Sequence, residues 1–282
     1  MKVAMIGATG RNAGLVLPQL VKRGATVRAV VRDKQKADVA RRNGATEVAE
    51  ANLTDPASLH AAFAGAEGVF HINPAFAPNE AAMGVAAVEA AEAAGVRKFV
   101  FSGVIHPSIS AMTNHTAKQP VEEALYCSDM DFTVLQPARF MQNWAGPWRT
   151  VVDHGRLEMP YSVAAKFCWV DYRDVAETAA LAMTSGELSY GTFELCATGM
   201  ADGNQIAALI SEELGRQIEA HQISREQFAT QLPDGPMREG LTRMLAHYDE
   251  HGLPGGNPSV LRAILGREPR SLRQYFRELA TA

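Results

Sequence analysis

The stretch KVAMIGATGRNAG, residues 2–14, decides the fold of this chain. Its first residues, Lys2–Ile6, have the apolar composition of a short buried strand. Two closely spaced glycines, Gly7 and Gly10, follow at once, and a helical pattern then runs from about residue 11 to residue 22. A strand that passes through a glycine-rich turn into a helix is typical of the phosphate-binding end of a parallel α/β sheet.

The spacing of the small residues in this turn predicts that it binds the pyrophosphate of a dinucleotide. Gly7 permits the tight turn, and Gly10 lets the backbone approach the pyrophosphate because no Cβ intervenes. Ala13 is small enough to pack on the strand, with Gly14 beside it. The start of the helix presents N–H groups and a partial positive charge to the anion. The alternative is a tight turn that binds nothing. A Walker-type phosphate loop is excluded because no Gly-Lys-Ser/Thr follows.

Short apolar runs and helical patterns alternate as far as Pro137, which predicts the α/β class with a doubly wound parallel sheet. From Asp202 onward the pattern is mainly helical. We expect residues 1–153 to form a dinucleotide-binding domain, completed by about 166–200. We expect residues 154–282 to form a smaller, mainly helical lobe on the substrate side, interleaved with the first. The predicted strands are Lys2–Ile6, Thr26–Val31, Glu47–Ala51, Gly68–Ile72, Lys98–Ser102, Phe132–Leu135, Phe167–Val170 and Thr192–Cys196.

Composition narrows the classes of partner. The 282 residues carry 27 basic and 31 acidic side chains, a net charge of −4, which disfavours nucleic acid because its binders carry a basic surplus. No uncharged apolar run is long enough to span a membrane, and the N-terminal apolar run is too short for a signal peptide, so we expect a cytoplasmic protein. Cys127, Cys168 and Cys196 form neither a disulfide framework nor a metal motif. We therefore expect a small-molecule substrate and no metal; the sequence leaves a homodimer open.

The end of the second strand bears on the choice of cofactor. An acidic residue there would bind the ribose 2′-OH of NAD, whereas an arginine accommodates the 2′-phosphate of NADP. Arg32 comes first in this chain, and Arg11 with Lys34 or Lys36 could complete a 2′-phosphate site. These charges favour NADP(H) over NAD(H). Asp33 is the counter-evidence, and its alternative role is to cap the following helix.

Six motifs resemble, in order, the NmrA-like family of atypical short-chain dehydrogenases/reductases. They are GATGRNAG, VVRD, ANLTD, FSGV, the helix that begins at Lys118, and WVDYRDVAETAA. The resemblance covers about residues 1–200. It implies a Rossmann-type sheet and a nicotinamide cofactor, and its known members include quinone reductases, triphenylmethane reductases and non-catalytic dinucleotide sensors.

The resemblance also implies a set of site residues. The cofactor-binding residues are Gly7, Thr9, Gly10, Arg11 and Asn12 at the pyrophosphate, Arg32 at the 2′-phosphate, Asn52 and Leu53 at the adenine, Asn73 and Pro74 at the ribose, and Ser102, Gly103, Gln136 and Pro137 at the nicotinamide.

One residue departs from the short-chain dehydrogenase pattern. A typical member has Tyr-x-x-x-Lys, with the tyrosine as general acid. Here Lys118 is present, but Asn114 occupies the position four residues before it. Lys118 could hold the nicotinamide ribose or stabilise a developing oxyanion. The alternative is a surface ion pair with Glu122, four residues further on.

Two histidines and an aromatic cluster complete the candidates. His115 and His106 could donate a proton because imidazole titrates near neutrality, although a loop histidine is often only a polar surface group. A planar substrate could bind among the residues that follow the sixth strand, and the alternative for these residues is core packing or a subunit contact. They are Phe140, Met141, Asn143, Trp144, Trp148 and Tyr161.

Two functions fit these residues. The first is an NADPH-dependent reductase that transfers hydride to a small aromatic, quinone-like or carbonyl-type acceptor near Lys118. The second is a dinucleotide-sensing regulator without turnover. Lys118 and the aromatic cluster favour the enzyme, whereas the missing tyrosine favours the sensor.

Overall fold

The computed structural model describes residues 1–281 and contains twelve strands and thirteen helices in that part of the chain. The strands are β1 (Lys2–Ile6), β2 (Thr26–Val31), β3 (Glu47–Glu50), β4 (Gly68–Ile72), β5 (Lys98–Ser102), β6 (Asp131–Pro137), β7 (Arg139–Phe140), β8 (Arg156–Met159), β9 (Phe167–Val170), β10 (Gly191–Leu195), β11 (Met200–Ala201) and β12 (Glu219–Gln222). The helices are α1 (Val16–Lys22), α2 (Ala37–Arg42), α3 (Pro56–Phe63), α4 (Glu80–Ala93), α5 (Thr113–Thr116), α6 (Gln119–Tyr126), α7 (Trp148–His154), α8 (Tyr172–Thr184), α9 (Gly203–Leu214), α10 (Arg225–Ala229), α11 (Pro236–His251), α12 (Ser259–Leu265) and α13 (Leu272–Thr281).

A seven-stranded sheet in the order β10-β6-β5-β4-β1-β2-β3 confirms the doubly wound α/β fold. The ladders from β6 to β3 are all parallel. Successive strands run outward from β1 in one direction and from β4 in the other. The topological switch point therefore lies between these two strands, and ligands of such sheets bind at the carboxyl ends there.

The first helix begins later than the sequence pattern predicts. Residues 10–12 form a turn, Ala13–Leu15 is a 3₁₀ stretch, and α1 starts only at Val16. The amides of Gly10 and Gly14 are already used inside this turn, donating to the carbonyls of Gly7 (2.8 Å) and Gly10 (2.9 Å). The prediction of a helix from Arg11 is therefore wrong, because the loop closes on itself before the helix begins.

Two predicted helix caps are confirmed. The carboxylate of Asp33 accepts the Gln35 amide at 2.8 Å, and that of Asp55 accepts the Ala57 amide at 3.1 Å. Both residues have extended backbone and satisfy an amide that the helix itself cannot bond. Asp33 thus has the capping role that the sequence offered as the alternative to ribose binding.

Chain contacts divide the molecule into two compact units. The first comprises Met1–Ser108, His115–Gln136 and Val175–Glu194, and the second comprises Ile109–Asn114, Pro137–Asp174 and Leu195–Ala282. Residues 137–153, which the sequence analysis assigns to the first domain, belong to the second unit.

The first unit buries a core between the sheet and the helices α3, α4 and α6. Phe63, Phe99 and Leu125 are completely buried in it. Gly84 in the middle of α4 allows α6 to approach closely, since a Cβ there would lie 2.3 Å from Val121 Cγ2 and 2.7 Å from the Asn73 side-chain oxygen. The glycine therefore fixes the spacing of two helices and leaves room for a polar side chain.

The second unit contains two small sheets besides its helices. Strands β11, β9 and β7 form a three-stranded sheet, and β12 pairs with β8 in parallel. The sequence does not predict β8 and β12: β8 alternates between exposed and buried residues but is only four residues long, and the polar β12 has no alternating pattern. Within residues 1–281, no helix is both long and apolar enough to cross a membrane.

Candidate functional site

The glycine loop after β1 forms a cradle at the switch point, with no side chain at positions 7 and 10. Gly7 has φ of 82°, and a Cβ on it would lie 3.0 Å from both the Ala13 Cβ and the Ile72 Cγ2. A Cβ on Gly10 would lie 3.2 Å from the Gly7 carbonyl oxygen. The loop can therefore lie this close to the end of β4 only with glycine at position 7, and glycine at position 10 keeps a side chain off the Gly7 carbonyl.

One polar atom of the loop indicates that the cradle fits a nucleotide. The side-chain oxygen of Asn12 is buried and has no hydrogen-bond partner among the described residues. A buried acceptor without a donor is costly, at about 1–3 kcal/mol, and a ligand hydroxyl would satisfy it. This observation and the bare glycine backbone agree with a bound dinucleotide. The half-buried Thr9 and the exposed Arg11 lie on the same loop.

The predicted 2′-phosphate and adenine residues lie on the surface of the first unit. Arg32 is exposed directly after β2, and Lys34 pairs with Glu50 at 3.3 Å. Asn52 is exposed too, and its side-chain oxygen accepts the Thr54 amide at 3.1 Å, which closes a small turn. The amide N–H₂ of Asn52 and the half-buried Leu53 are therefore the groups of that segment suited to an adenine.

A buried polar network follows β4. The His71 Nε2 and the Asn73 Oδ1 are 2.5 Å apart, and the Asn73 Nδ2 donates to the Glu80 carbonyl at 3.1 Å. The Glu80 carboxylate accepts the Phe76 amide at 2.8 Å and bonds the Lys118 ammonium. The network thus runs from the end of β4 through the start of α4 to the residue that precedes α6. The exposed Pro74 lies outside it.

The partner of Lys118 differs from the one considered in the sequence analysis. The surface ion pair with Glu122 is wrong, because Lys118 is buried and its ammonium bonds Glu80, which is also buried. Burial lowers the pKa of Lys118, and the negative charge of Glu80 opposes that change. The pair places one fixed ammonium group near the carboxyl end of the sheet.

The two predicted proton donors contact each other through the backbone. His115 is buried, and its Nδ1 lies 3.2 Å from the carbonyl oxygen of His106, a half-buried residue with φ of 53°. Burial lowers the pKa of His115 to about 4, and the Lys118 ammonium contributes to the change. The ring is therefore neutral at neutral pH, and it cannot supply a proton there as an imidazolium.

The residues predicted at the nicotinamide are at strand ends. Ser102 ends β5 and is completely buried, and the amide of the following Gly103 donates to the Leu135 carbonyl at 2.8 Å. Gln136 and the buried Pro137 end β6.

The predicted substrate residues are all in the second unit except His106. Trp144 packs on Trp169 at 5.3 Å between ring centroids, and Tyr161 packs on Phe167 at 4.8 Å. Both are buried, which agrees with the core-packing alternative. Phe140 and Trp148 are half-buried, and Asn143 is exposed. A cavity of about 420 Å³ in the same unit is lined by Met141 and Trp169, and Met141 is the one member of the predicted cluster that lines it.

Sequence reasoning missed Glu80. An acidic residue in the first turn of a helix is normally an exposed partner of the helix dipole, and nothing in the local pattern marks this one as buried. Its role depends on Lys118, 38 residues away. The only usable signal is its position directly after the loop that follows β4.

Comparison with known proteins agrees with this geometry. The chain is 27% identical to an NAD(P)H azoreductase of Xenophilus azovorans over 99% of this chain and 98% of that protein. It resembles the NADPH complex of the quinone oxidoreductase QOR2 from Escherichia coli, with a TM-score of 0.85 and 23% identity over 98% and 99% of the two chains. It also resembles the triphenylmethane reductase of Citrobacter sp., with a TM-score of 0.88 and 21% identity over the full length of both chains.

The model of one family matches almost the whole chain, residues 1–280. This match extends beyond the ordered motifs of residues 1–200 and includes the helical C-terminal part. The chain belongs to the NmrA-like family.

Proposed function

We propose that the protein is an NAD(P)H-dependent oxidoreductase that prefers NADPH and transfers hydride to a small aromatic, quinone-like or carbonyl-type acceptor. The observation that carries the proposal is the glycine cradle of Gly7 and Gly10 at the switch point, with the buried acceptor of Asn12 beside it. The similar azoreductase, quinone oxidoreductase and triphenylmethane reductase support the same class of chemistry.

Different residues of the first unit would bind different parts of the dinucleotide. The loop Gly7–Asn12 holds the pyrophosphate, and Arg32 with Arg11 pairs the 2′-phosphate. Asn52 and Leu53 contact the adenine. The nicotinamide, once bound, supplies the hydride. Lys118, oriented by Glu80, donates a hydrogen bond to the nicotinamide ribose or to an oxyanion that develops on the acceptor.

The absence of the usual tyrosine fits acceptors that do not need it. A cationic dye accepts hydride at its central carbon without taking up a proton, and a quinone can take its proton from a donor other than that tyrosine. Phe140, Asn143 and Trp148 remain candidate acceptor-binding residues in the second unit and His106 in the first, whereas Trp144 and Tyr161 pack in the core. The aromatic rings suit a planar apolar molecule.

A second function is a nucleotide-dependent regulator without turnover, which Asn114 at the tyrosine position favours. Incubation of the purified protein with NADPH and a panel of quinones, azo dyes, triphenylmethane dyes and enones separates the two. We expect the absorbance of the reduced nicotinamide to fall with at least one acceptor class. If calorimetry shows tight NADPH binding but no acceptor oxidises the bound NADPH, the regulator is the function that remains.

A further inference from the structure

A second buried carboxyl group lies at the carboxyl end of the sheet. Glu122 on α6 is only 6% exposed. Both of its carboxylate oxygens accept from the Gln136 amide, at 3.0 and 3.1 Å, and the Tyr126 hydroxyl lies 3.4 Å from Oε2. Gln136 is the penultimate residue of β6, so the carboxyl group is fixed where that strand ends.

The same carboxyl group lies against Gly103, directly after β5. A Cβ on Gly103 would lie 3.3 Å from Glu122 Oε1, so a larger residue there would cover this oxygen. Glycine at position 103 therefore lets the end of β5 pack closely against the carboxyl group. Ser102 and Gly103 are the residues at which we place the nicotinamide, and the acceptor must come close to that ring to receive hydride.

The surroundings of Glu122 favour the protonated carboxyl group. Burial raises the pKa of Glu122, and the hydrogen bonds from the neutral Gln136 and Tyr126 side chains only partly oppose that change. Lys118, which directly precedes this helix, bonds Glu80 instead. From the neighbouring β10, Glu194 lies on the strand face that also carries Thr192, whose hydroxyl contacts Tyr126 at 3.0 Å. These charges include no cation that would hold Glu122 ionised.

We propose that Glu122 supplies the proton that completes the reduction of an acceptor such as a quinone. This inference rests on the proposed reductase function. Quinone reduction breaks the C–H bond at nicotinamide C4, and its electron pair forms a new bond from hydrogen to the quinone. The resulting hydroquinone anion then takes a proton from the Glu122 carboxyl group to form the second O–H bond. The carboxylate is reprotonated from water, so the quinone gains two electrons and two hydrogens and the nicotinamide loses one hydride.

Two alternatives to Glu122 as the proton donor are disfavoured among the described residues. Asn114 replaces the usual tyrosine, and His115 is neutral because its pKa is lowered to about 4. A cationic triphenylmethane dye, by contrast, becomes neutral when its central carbon receives hydride, and it takes up no proton. Glu122 should therefore matter for one class of acceptor and not for the other.

The test compares Glu122→Gln with the matched control Glu123→Gln, which removes the neighbouring, exposed carboxylate. Each variant is assayed with NADPH and either a benzoquinone or a cationic triphenylmethane dye across a range of pH. We expect kcat of Glu122→Gln with the quinone to fall by about a hundredfold or more, as for loss of a general acid. We expect its kcat with the dye to be unchanged, and Glu123→Gln to behave as the wild type with both.

The pH profile supplies the second readout. The quinone rate of the wild type should fall as pH rises above the pKa of Glu122, and this fall should be absent with the dye. Gln136→Met removes a hydrogen bond that stabilises the carboxylate, so the fall should move to higher pH. Gln136→Met also tests the proposal if Glu122→Gln does not fold.

The possible failures are distinguishable. Equal losses with quinone and dye would show that Glu122 only supports the structure, and an unchanged quinone rate would remove it from the reaction. Either result overturns the inference and leaves the reductase function intact. A wild-type protein that reduces neither acceptor would overturn both proposals.

Discussion

Lys118 and Glu80 form an ion pair whose side chains are only 6% and 3% exposed. Lys118 is the residue before α6, and Glu80 is the first residue of α4. Two charges removed from water are stable only when they pair with each other and their remaining hydrogen bonds are made. Here the Phe76 amide donates the further hydrogen bond to the Glu80 carboxylate. The pair therefore fixes the position of the ammonium group to which we assign the ribose or the oxyanion.

Glu80→Gln should unfold at a lower denaturant concentration and reduce acceptors more slowly. The substitution leaves the Lys118 ammonium buried without a counter-charge, a change that costs about 3–5 kcal/mol in other proteins. Urea unfolding and steady-state kinetics measure the two effects. The double variant Glu80→Gln with Lys118→Met should recover much of the stability but not the turnover. A single variant as stable as the wild type would show that the pair is not buried as described.

Gly84→Ala should destabilise the protein even though alanine is the better helix former. A Cβ at this position would collide with Val121 and with the Asn73 side chain. Alanine elsewhere in a helix gains roughly 0.5–1 kcal/mol over glycine. The exposed Ala82 in the same helix is the control, since Ala82→Gly should cost only that propensity difference. A Tm for Gly84→Ala at or above that of the wild type would contradict the close packing of α4 on α6.

The stability of the fold should fall as the pH falls from about 6.5 towards 4. His71 and His115 have pKa values lowered to about 4 in the folded protein, chiefly by burial, against 6.5 as their ordinary value. In this window the unfolded chain binds protons that the folded chain does not, so unfolding is favoured by up to about 1.4 kcal/mol per pH unit for each histidine.

Urea unfolding at a series of pH values measures this slope. His115→Asn should reduce the slope of unfolding free energy against pH by the contribution of one histidine. His60→Asn, which removes an exposed imidazole, should leave the slope unchanged. An equally steep slope in His115→Asn would show that the ring is not held neutral.

Arg32→Ala should weaken NADPH binding by roughly tenfold or more, which corresponds to about 1.4 kcal/mol. The guanidinium is the group that we place on the 2′-phosphate, and NADH lacks that phosphate. NADH binding should therefore be unchanged, as should both affinities in Arg42→Ala, which removes an exposed arginine of α2. Calorimetric titrations of the wild type and the two variants measure the six dissociation constants. Equal losses of both nucleotides would remove Arg32 from this role.

The sequence predicted those parts of the fold whose signals are local. The bounds of β4 and β5 and the caps at Asp33 and Asp55 agree with the structure. Apolar strands and capping residues act within a few positions, so one sequence suffices to find them. The start of α1 was misplaced because the glycine loop uses its amides internally, which depends on loop geometry rather than on composition.

The candidate site is harder to predict from the sequence because its contacts join segments that are distant in the chain. The sequence identifies Lys118 as a candidate, but helical spacing offers only Glu122 as an alternative partner, whereas the structure pairs Lys118 with Glu80. The lowered pKa of His115 follows from burial, which a loop position does not disclose. Trp144 and Tyr161 are aromatic, as substrate-pocket residues often are, but they are buried like core residues. Only the packed structure distinguishes the two roles.

The central claim is that hydride passes directly from the cofactor to an acceptor, and isotope transfer tests it most directly. NADPH deuterated on either face of nicotinamide C4 is incubated with the protein and a cationic triphenylmethane dye, whose reduced central carbon keeps the hydrogen it receives. The account predicts a leuco product that is heavier by one deuterium with one of the two cofactors and unlabelled with the other. Product without label from both cofactors, or no product while NADPH remains bound, would contradict it.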